Sequence, residues 1–134
     1  MFGRTLKTPK IPKIPKTPKI QKKTKTIMKR YGMVIGVNAE KLEEYKRLHA
    51  AAWPGVLKMI KECNIENYSI YYKDGLLFSY YEYVGTDYEA DMAKMAADPE
   101  TQRWWAVCEP CQRPLDTRKE GEWWATMEEV FHLD

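Results

Sequence analysis

The sequence has few of the features that stabilise a secreted or membrane-embedded domain. Its 134 residues include only three cysteines, an odd number that is too small for a disulfide framework and that favours a reducing compartment. No stretch approaches the run of about 18 apolar residues that a membrane-spanning helix needs. These absences predict a cytoplasmic protein that does not enter a membrane.

Motifs for phosphate or metal binding are also missing. The sequence contains no glycine-rich phosphate loop and no cluster of residues with metal-ligand spacing. Cys108 and Cys111 match a C-x-x-C pattern, but a structural zinc site needs about four ligands and no second pair is present. We therefore expect no metal and no other cofactor.

Acidic residues are absent from residues 1–27, which contain Arg4 and eight lysines. Subtracting these nine from the 22 basic residues leaves 13 against all 19 acidic ones, so residues 28–134 have a net charge of −6. The basic character of the chain therefore belongs to its first segment. It gives no reason to expect a nucleic-acid-binding surface on the folded domain.

The same basic segment repeats a Thr/Ile-Pro-Lys triplet four times over residues 8–19. Proline at every third position excludes a helix or a central strand. We expect residues 1–27 to be a disordered Lys/Pro-rich tail, and residues 28–134 to form a single domain with Met28 as its natural start. The alternative is a basic polyproline arm that binds a membrane surface or a polyanion.

The most informative stretch runs from Tyr45 to Gly55. Residues four apart share a helix face, so Tyr45, His49 and Trp53 are predicted to form a ladder within the apolar stripe of one helix. Imidazole has an unperturbed pKa of about 6.5, and beside a phenol it is a plausible general acid or base. The alternative is a half-buried histidine satisfied by one hydrogen bond. Pro54 should break the helix after Trp53 and leave room for a ligand.

Strand and turn signals complete the secondary structure. Before the first helix, which Asn38 should cap, the sequence predicts a strand over 30–37. After it we expect a hairpin of strands 67–73 and 76–84, joined by Asp74-Gly75. The remaining predicted elements are a helix to about 97 capped by Thr86 or Asp87, a helix from 98 through 105, a loop over 110–122 and a final strand 123–133. This β-α-β-β-α-β order is typical of an α+β, ferredoxin-like fold with an antiparallel sheet and helices on one face. The other, aromatic-rich face would be bare in a monomer, so we expect a homodimer whose sheets face each other.

The sequence also predicts the burial of three further side chains. Adjacent tryptophans on a helix lie about 100° apart, so Trp104 and Trp105 cannot both be buried to the same degree, and at least one should face a cleft or a partner. His132 lies near the end of the sequence, and we expect it to be structural or exposed.

Four stretches within residues 29–134 occur together in a specific order and spacing. They are Tyr45-Lys46-Arg47-Leu48-His49 with Trp53-Pro54 following, Asn67-Tyr68-Ser69-Ile70-Tyr71, Gln102-Arg103-Trp104-Trp105, and Met127-Glu128-Glu129-Val130-Phe131-His132-Leu133. In these stretches the chain resembles the L-rhamnose mutarotases. The resemblance implies a dimeric α+β barrel that interconverts the α and β anomers of L-rhamnose without a cofactor.

The resemblance also implies roles for particular residues. His49 takes the place of the catalytic proton donor, and Tyr45 and Tyr68 take the places of sugar-contacting tyrosines. Trp104 and Trp105 take the places of tryptophans that hold the sugar. It assigns no role to the Trp123-Trp124 pair or to residues 1–27.

Two other functional classes stay open at this point. One is a haem-degrading or cofactor-free monooxygenase of the dimeric α+β barrel type, in which His49 would bind a metal or act on an aromatic substrate. The other is a non-catalytic sugar-binding protein that keeps the aromatic cradle without turnover. The fold alone does not discriminate among them.

Overall fold

The computed structural model describes residues 27–134, so the predicted tail over residues 1–27 lies outside the described residues except for its last position. The helices and strands are β1 (Lys29–Val37), α1 (Leu42–Ala50), α2 (Pro54–Glu62), β2 (Ile65–Lys73), β3 (Leu76–Tyr83), α3 (Tyr88–Ala97), α4 (Pro99–Cys108), β4 (Gln112–Arg113) and β5 (Ala125–Thr126). Short 3₁₀ turns precede α1 and β4. Within the described range, no helix combines the length and the apolar character needed to cross a bilayer.

The strands form one antiparallel sheet in the order β2-β3-β1-β4, and β5 also pairs with β1. This order and the helices packed on one face confirm the predicted ferredoxin-like α+β arrangement. The larger core cluster lies between β1, β3 and the helices α1, α2 and α4. Its buried members are Ile35, Val37, Tyr45, Val56, Leu77, Trp104, Cys108 and Cys111.

The break in the first helical region is confirmed and changes the geometry predicted for it. α1 ends at Ala50 and α2 begins at Pro54, whose missing N–H and fixed φ suit the first turn of a helix. Trp53 precedes Pro54 in an extended conformation with ψ of 133°. The prediction of a single helical ladder through Trp53 is therefore wrong, because only Tyr45 and His49 belong to α1.

The residue predicted to cap this region has another partner. Asn38 makes no side-chain capping bond, and its Nδ2 donates instead to the Pro110 carbonyl at 3.2 Å. The Asn38 amide donates to the Cys111 carbonyl at 2.9 Å. Asn38 thus ties the end of β1 to the segment that leads into β4.

The β2–β3 hairpin contains a bulge that sets the direction of its side chains. Asp74 and Gly75 have φ of 50° and 84°, as expected for the predicted Asp-Gly turn. The register passes from Glu66↔Glu82 to Ser69↔Tyr80, so Asn67 and Tyr68 together oppose a single residue. Asn67 takes the left-handed conformation, with φ of 50°. The extra residue shifts the alternation so that Tyr68 and Ile70 both face the helices.

The predicted final strand over 123–133 is wrong in its length. Only Ala125 and Thr126 pair with β1, and one further backbone bond joins the Met127 amide to the Gly32 carbonyl at 2.8 Å. β4 already pairs with Gly36 on the same edge, so β5 cannot start at Trp123. In the other direction the register runs toward Lys29, where β1 begins, so a strand through residue 133 would have no partner along its last residues. The last residues are largely exposed, with Val130 at 85%.

A glycine on β1 permits the close approach of β4. A Cβ added at Gly36 would lie 2.6 Å from the Arg113 carbonyl oxygen, a backbone atom that cannot turn aside. A Cβ at Gly32, on the same strand and the same face, would meet only the flexible end of Met127 at 3.4 Å. Alanine substitutions at Gly36 and Gly32 can therefore be compared as a test and its control.

We predict that Gly36→Ala lowers the free energy of unfolding by roughly 1–3 kcal/mol, the usual cost of overpacking, because β4 must move away from β1. Gly32→Ala should change it by less than about 0.5 kcal/mol, as surface substitutions do. Urea denaturation followed by circular dichroism measures both. Equal losses in the two variants would show that the close approach of β4 is not what Gly36 protects.

Candidate functional site

A cavity of about 580 Å³ lies between the helix-covered face of the sheet and the helices. Its volume falls in the range of roughly 300–1,000 Å³ that small-molecule sites occupy. All five residues predicted from the sequence line it, namely Tyr45, His49, Tyr68, Trp104 and Trp105. The structure therefore brings together groups that are up to 60 positions apart in the chain.

A second, smaller hollow of about 320 Å³ lies beside α1 and β2. It also touches Tyr45 and His49, but the rest of its lining includes Lys46, Tyr71 and Tyr72 and no tryptophan. The larger cavity is the better candidate because it brings the imidazole together with Trp104 and Trp105.

His49 is held by the turn of α1 that precedes it. Its Nδ1 lies 2.9 Å from the Tyr45 carbonyl oxygen, and its ring stacks on the Tyr45 ring with centroids 4.1 Å apart. A carbonyl only accepts hydrogen bonds, so Nδ1 must carry the proton. In the neutral imidazole Nε2 is then left with a free lone pair. His49 is built to accept a proton at Nε2.

The protonation state of His49 follows from its surroundings. Burial lowers the pKa of His49 below its usual 6.5, and the hydrogen bond to the Tyr45 carbonyl opposes this effect only in part. The ring is therefore neutral at pH 7, which is the form that can act as a base.

The Tyr45 hydroxyl belongs to a short chain of hydrogen bonds. Gln112 Nε2 donates to the Tyr45 hydroxyl oxygen at 3.2 Å, and Trp123 Nε1 donates to Gln112 Oε1 at 2.8 Å. Burial raises the pKa of Tyr45, so its phenol stays protonated throughout the physiological range. Tyr45 itself is only 4% exposed.

Tyr68 reaches the cavity from the opposite wall because of the bulge in β2. Its ring packs edge-on against Tyr81, with centroids 5.3 Å apart. Solvent reaches 42% of Tyr68 through the open mouth, yet its hydroxyl lies within the concavity, where desolvation raises its pKa to about 12. Tyr68 can therefore offer a neutral phenol to a ligand.

The two tryptophans of α4 differ in exposure, as predicted. Trp104 is 7% exposed, and its ring lies 5.1 Å from both His49 and Trp53, edge-on to each. Trp105 is 37% exposed and lines the cavity next to it. Trp104 thus packs behind the imidazole, and Trp105 offers a free aromatic surface.

The start of α4 is fixed by a capping residue. The Asp98 side chain accepts from the Thr101 amide at 2.8 Å and also from the Thr101 hydroxyl at 2.8 Å. This cap sets where α4 begins and hence which way Trp104 and Trp105 point.

The end of the cavity away from His49 is apolar. Its lining there comes from α2, α3 and the sheet, and consists of Met33, Leu57, Ile60, Ile65, Met92 and Met95. Tyr81 closes this end, where its hydroxyl lies 2.5 Å from that of Tyr88. The cavity therefore has one hydrogen-bonding end and one apolar end.

Three residues of the site were not predicted from the sequence. Gln112, Trp123 and Trp124 all line the cavity, although the Trp123-Trp124 pair was given no role. The two tryptophans could have been found as a pair of large aromatic residues that must pack somewhere, in a segment otherwise rich in proline and charge. No such signal marks Gln112. His132 lies outside the cavity and is exposed, as expected.

The cysteines and acidic residues offer no metal centre in the part of the chain that the structure describes. Among residues 27–134, no three or more His, Cys, Asp or Glu side chains lie close enough together to hold a metal ion. Burial raises the pKa of the Cys108 thiol to about 12, and burial also raises that of Cys111. Both cysteines are buried free thiols, so they behave as core residues.

Comparison with known sequences identifies relatives along nearly the whole described range. Residues 30–133 match the family model described as L-rhamnose mutarotase. An L-rhamnose mutarotase from Oceanobacillus iheyensis is 31% identical over 108 residues, which cover 80% of this chain and 100% of that protein.

Comparison with solved structures confirms the fold. An L-rhamnose mutarotase from Formosa agariphila has a TM-score of 0.61 at 20% identity, covering 79% of this chain and 99% of the other. Tetracenomycin F2 cyclase from Streptomyces glaucescens, a type-II polyketide cyclase, has the same TM-score at 12% identity, covering 79% and 97%. Two named activities on one fold show that the architecture alone does not define the reaction.

We predict that the His49 ring titrates with a midpoint below pH 6.5, because burial disfavours its charged form. A pH series of ¹H–¹⁵N spectra of the imidazoles measures the midpoint, and the neutral ring should show its proton on Nδ1. The spectrum of His49→Ala, which leaves only His132, assigns the signal. A midpoint above 6.5, or a neutral ring protonated on Nε2, would contradict the geometry.

Proposed function

We propose that this chain, which belongs to the L-rhamnose mutarotase family, is an isomerase that interconverts the α and β anomers of L-rhamnose. The observation that carries the proposal is that His49, whose hydrogen bond to the Tyr45 carbonyl leaves Nε2 with a free lone pair, lines a cavity walled by tyrosines and tryptophans. Mutarotation needs one group that both takes and gives a proton. A neutral imidazole near pH 7 is such a group.

The reaction can be written with a single proton shuttle. His49 Nε2 takes the proton from the anomeric hydroxyl while the electron pair of that O–H bond forms the carbonyl at C1. The C1–O5 bond breaks, and its electron pair stays on O5, which receives the proton back from Nε2. The open aldehyde rotates about C1–C2, and the reverse sequence on the other face of the carbonyl closes the ring as the other anomer. Atoms and charge are conserved, and His49 ends as it began.

The walls of the cavity suit a deoxy sugar. Trp105, together with the part of Trp104 that lines the cavity, offers aromatic surface for an apolar C–H and methyl face. The hydroxyls of Tyr45 and Tyr68 can bond sugar oxygens. The raised pKa of both tyrosines keeps them neutral hydrogen-bonding groups rather than charged ones. In this scheme His49 is the catalytic residue and these four residues bind the substrate, with no cofactor.

The assembly proposed for this function is a homodimer. The face of the sheet away from the helices carries partly exposed aromatics, including Phe78 and Tyr80, and Tyr71 is 66% exposed beside them. A second copy placed sheet to sheet would cover this surface. A monosaccharide and the second copy are the only partners in the proposal, which includes neither nucleic acid nor membrane. A cytoplasmic location is supported by the three free thiols.

The decisive test is NMR saturation transfer between the α and β anomers of L-rhamnose. Wild-type protein should accelerate the exchange, and His49→Ala should lose roughly 10²–10⁴-fold of that acceleration, the usual contribution of general acid–base catalysis. His132→Ala is the matched control, because it removes the other histidine of the chain outside the cavity and should keep full activity.

Each result separates the functional classes. If the wild type binds the sugar but does not accelerate anomer exchange, the protein is a non-catalytic sugar-binding protein and not a mutarotase. Equal activity of His49→Ala and wild type would remove the proton shuttle from His49.

The pH dependence of the same rate gives a second prediction. Only neutral His49 can accept the proton, and its folded pKa is lowered, so the rate should hold at neutral pH and fall only as the pH passes below 6.5. Exchange rates, corrected for the uncatalysed rate at each pH, measure this acid limb. A limb that begins well above 6.5 would point to another group.

We predict that Tyr71→Glu converts a dimer into a monomer, because it would place a charge in the buried sheet-to-sheet interface. Light scattering after size exclusion should give twice 15.8 kDa for the wild type and 15.8 kDa for the variant. A wild type of single mass would exclude the homodimer. Gln102→Glu, at an exposed position on α4, serves as the control for added negative charge, because it lies in the helix layer and not on the outer face of the sheet.

A further inference from the structure

Gln112 has a defined amide orientation because of its neighbour. The indole N–H of Trp123 can only donate a hydrogen bond, and it lies 2.8 Å from one end of the Gln112 amide. That end must be the carbonyl oxygen, Oε1. The other end, Nε2, is therefore the one that faces the Tyr45 hydroxyl at 3.2 Å.

The amide orientation fixes the direction of the Tyr45 hydroxyl in turn. An amide nitrogen donates and does not accept, so the Tyr45 oxygen uses a lone pair for Gln112 and keeps its own proton for another acceptor. Within the described residues 27–134, no protein acceptor bonds that hydroxyl. Tyr45 is 4% exposed and lines the large cavity, so an unpaired donor is left at a buried site.

The backbone of Gln112 is held as firmly as its side chain. Gln112 begins β4 and pairs with Val37, and the close approach of β4 requires Gly36. Asn38 fixes the preceding turn through the carbonyls of Pro110 and Cys111. The two-residue strand β4 thus positions the side-chain amide of Gln112 at the cavity.

We propose that Gln112, oriented by Trp123, is a positioning residue that makes Tyr45 a hydrogen-bond donor to the bound sugar. The proposal rests on the mutarotase function and deepens it. As the C1–O5 bond breaks, negative charge develops on the ring oxygen. A preorganised donor aimed at that charge stabilises the transition state more than the ground state. Gln112 itself touches Tyr45 and not the reacting atoms.

A nearly isosteric substitution reverses the hydrogen bond without emptying the space. In Gln112→Glu the carboxylate can only accept hydrogen bonds. It would accept one from the Trp123 indole N–H, as the wild-type amide does, and a second from the Tyr45 hydroxyl. Tyr45 would then no longer donate to the sugar. We expect kcat to fall on the order of 100-fold at neutral pH, the effect of losing one preorganised donor, with a much smaller change in KM.

The protonation state of the introduced carboxyl group provides an internal control in Gln112→Glu. Once the introduced carboxyl group is protonated, its O–H can donate to Tyr45 while its carbonyl oxygen accepts from Trp123, which restores the arrangement of the wild type. The rate of Gln112→Glu divided by that of the wild type at the same pH should therefore rise as the pH falls. Dividing by the wild type removes the titration of His49, and Tyr68, Cys108 and Cys111, the other titratable groups facing Tyr45, keep raised pKa values.

Two further variants separate positioning from a structural role. Gln102→Glu introduces the same chemical change at an exposed glutamine on α4 and should leave the rate unchanged. In a Tyr45→Phe background, which has no hydroxyl to orient, Gln112→Glu should change the rate by less than about twofold, because the two residues act as one unit.

The outcomes distinguish failure of this inference from failure of the proposed function. A wild type that does not accelerate anomer exchange overturns the mutarotase function and this inference with it. An active wild type, with Gln112→Glu either fully active or equally impaired at every pH, leaves the function standing and overturns the role of Gln112. A full 100-fold loss that persists in the Tyr45→Phe background would likewise show that Gln112 does not act through Tyr45.

Discussion

The hydrogen bond from His49 Nδ1–H to the Tyr45 carbonyl is the constraint on which the site depends. A carbonyl oxygen has two lone pairs, so the Tyr45 carbonyl can accept a hydrogen bond from the imidazole N–H in addition to the helix's own hydrogen bond. The bond selects one tautomer, holds the ring stacked on the Tyr45 ring and leaves Nε2 as the nitrogen that can accept a proton. Burial then keeps the ring neutral. Position and tautomer of the catalytic candidate thus come from one turn of α1, and its charge state comes from burial.

The rest of the fold serves this turn from several directions. Pro54 ends the helical region at a point that turns Trp53 out of α1 and onto Trp104, which in turn packs against His49. The bulge at Asn67 sends Tyr68 to the same cavity from the sheet. Each feature is local in sequence, yet each brings a side chain into contact with the site from a different element of the fold.

Much of this could be predicted from the sequence because the signals are local. Pro54 cannot continue the helix that precedes it. Asp74-Gly75 favours one type of turn, and Asp87 and Asp98 cap the helices that follow them. Gln112 and Trp123 could not be found in this way. Their places depend on a two-residue pairing with β1 and on a long irregular segment, and no periodic pattern marks either. The final strand was overestimated for a related reason, since the alternation over 123–133 carries no information on where the partner strand β1 begins or on which of its residues β4 already pairs with.

The distribution of tryptophan has a practical consequence. Four of the five tryptophans, Trp104, Trp105, Trp123 and Trp124, line one cavity, and the fifth, Trp53, packs against Trp104. Almost all of the long-wavelength ultraviolet emission of residues 27–134 therefore originates at or next to the place where a sugar would bind. The protein carries an intrinsic fluorescent reporter, and its emission can follow ligand occupancy without a dye, a label or any chemical turnover.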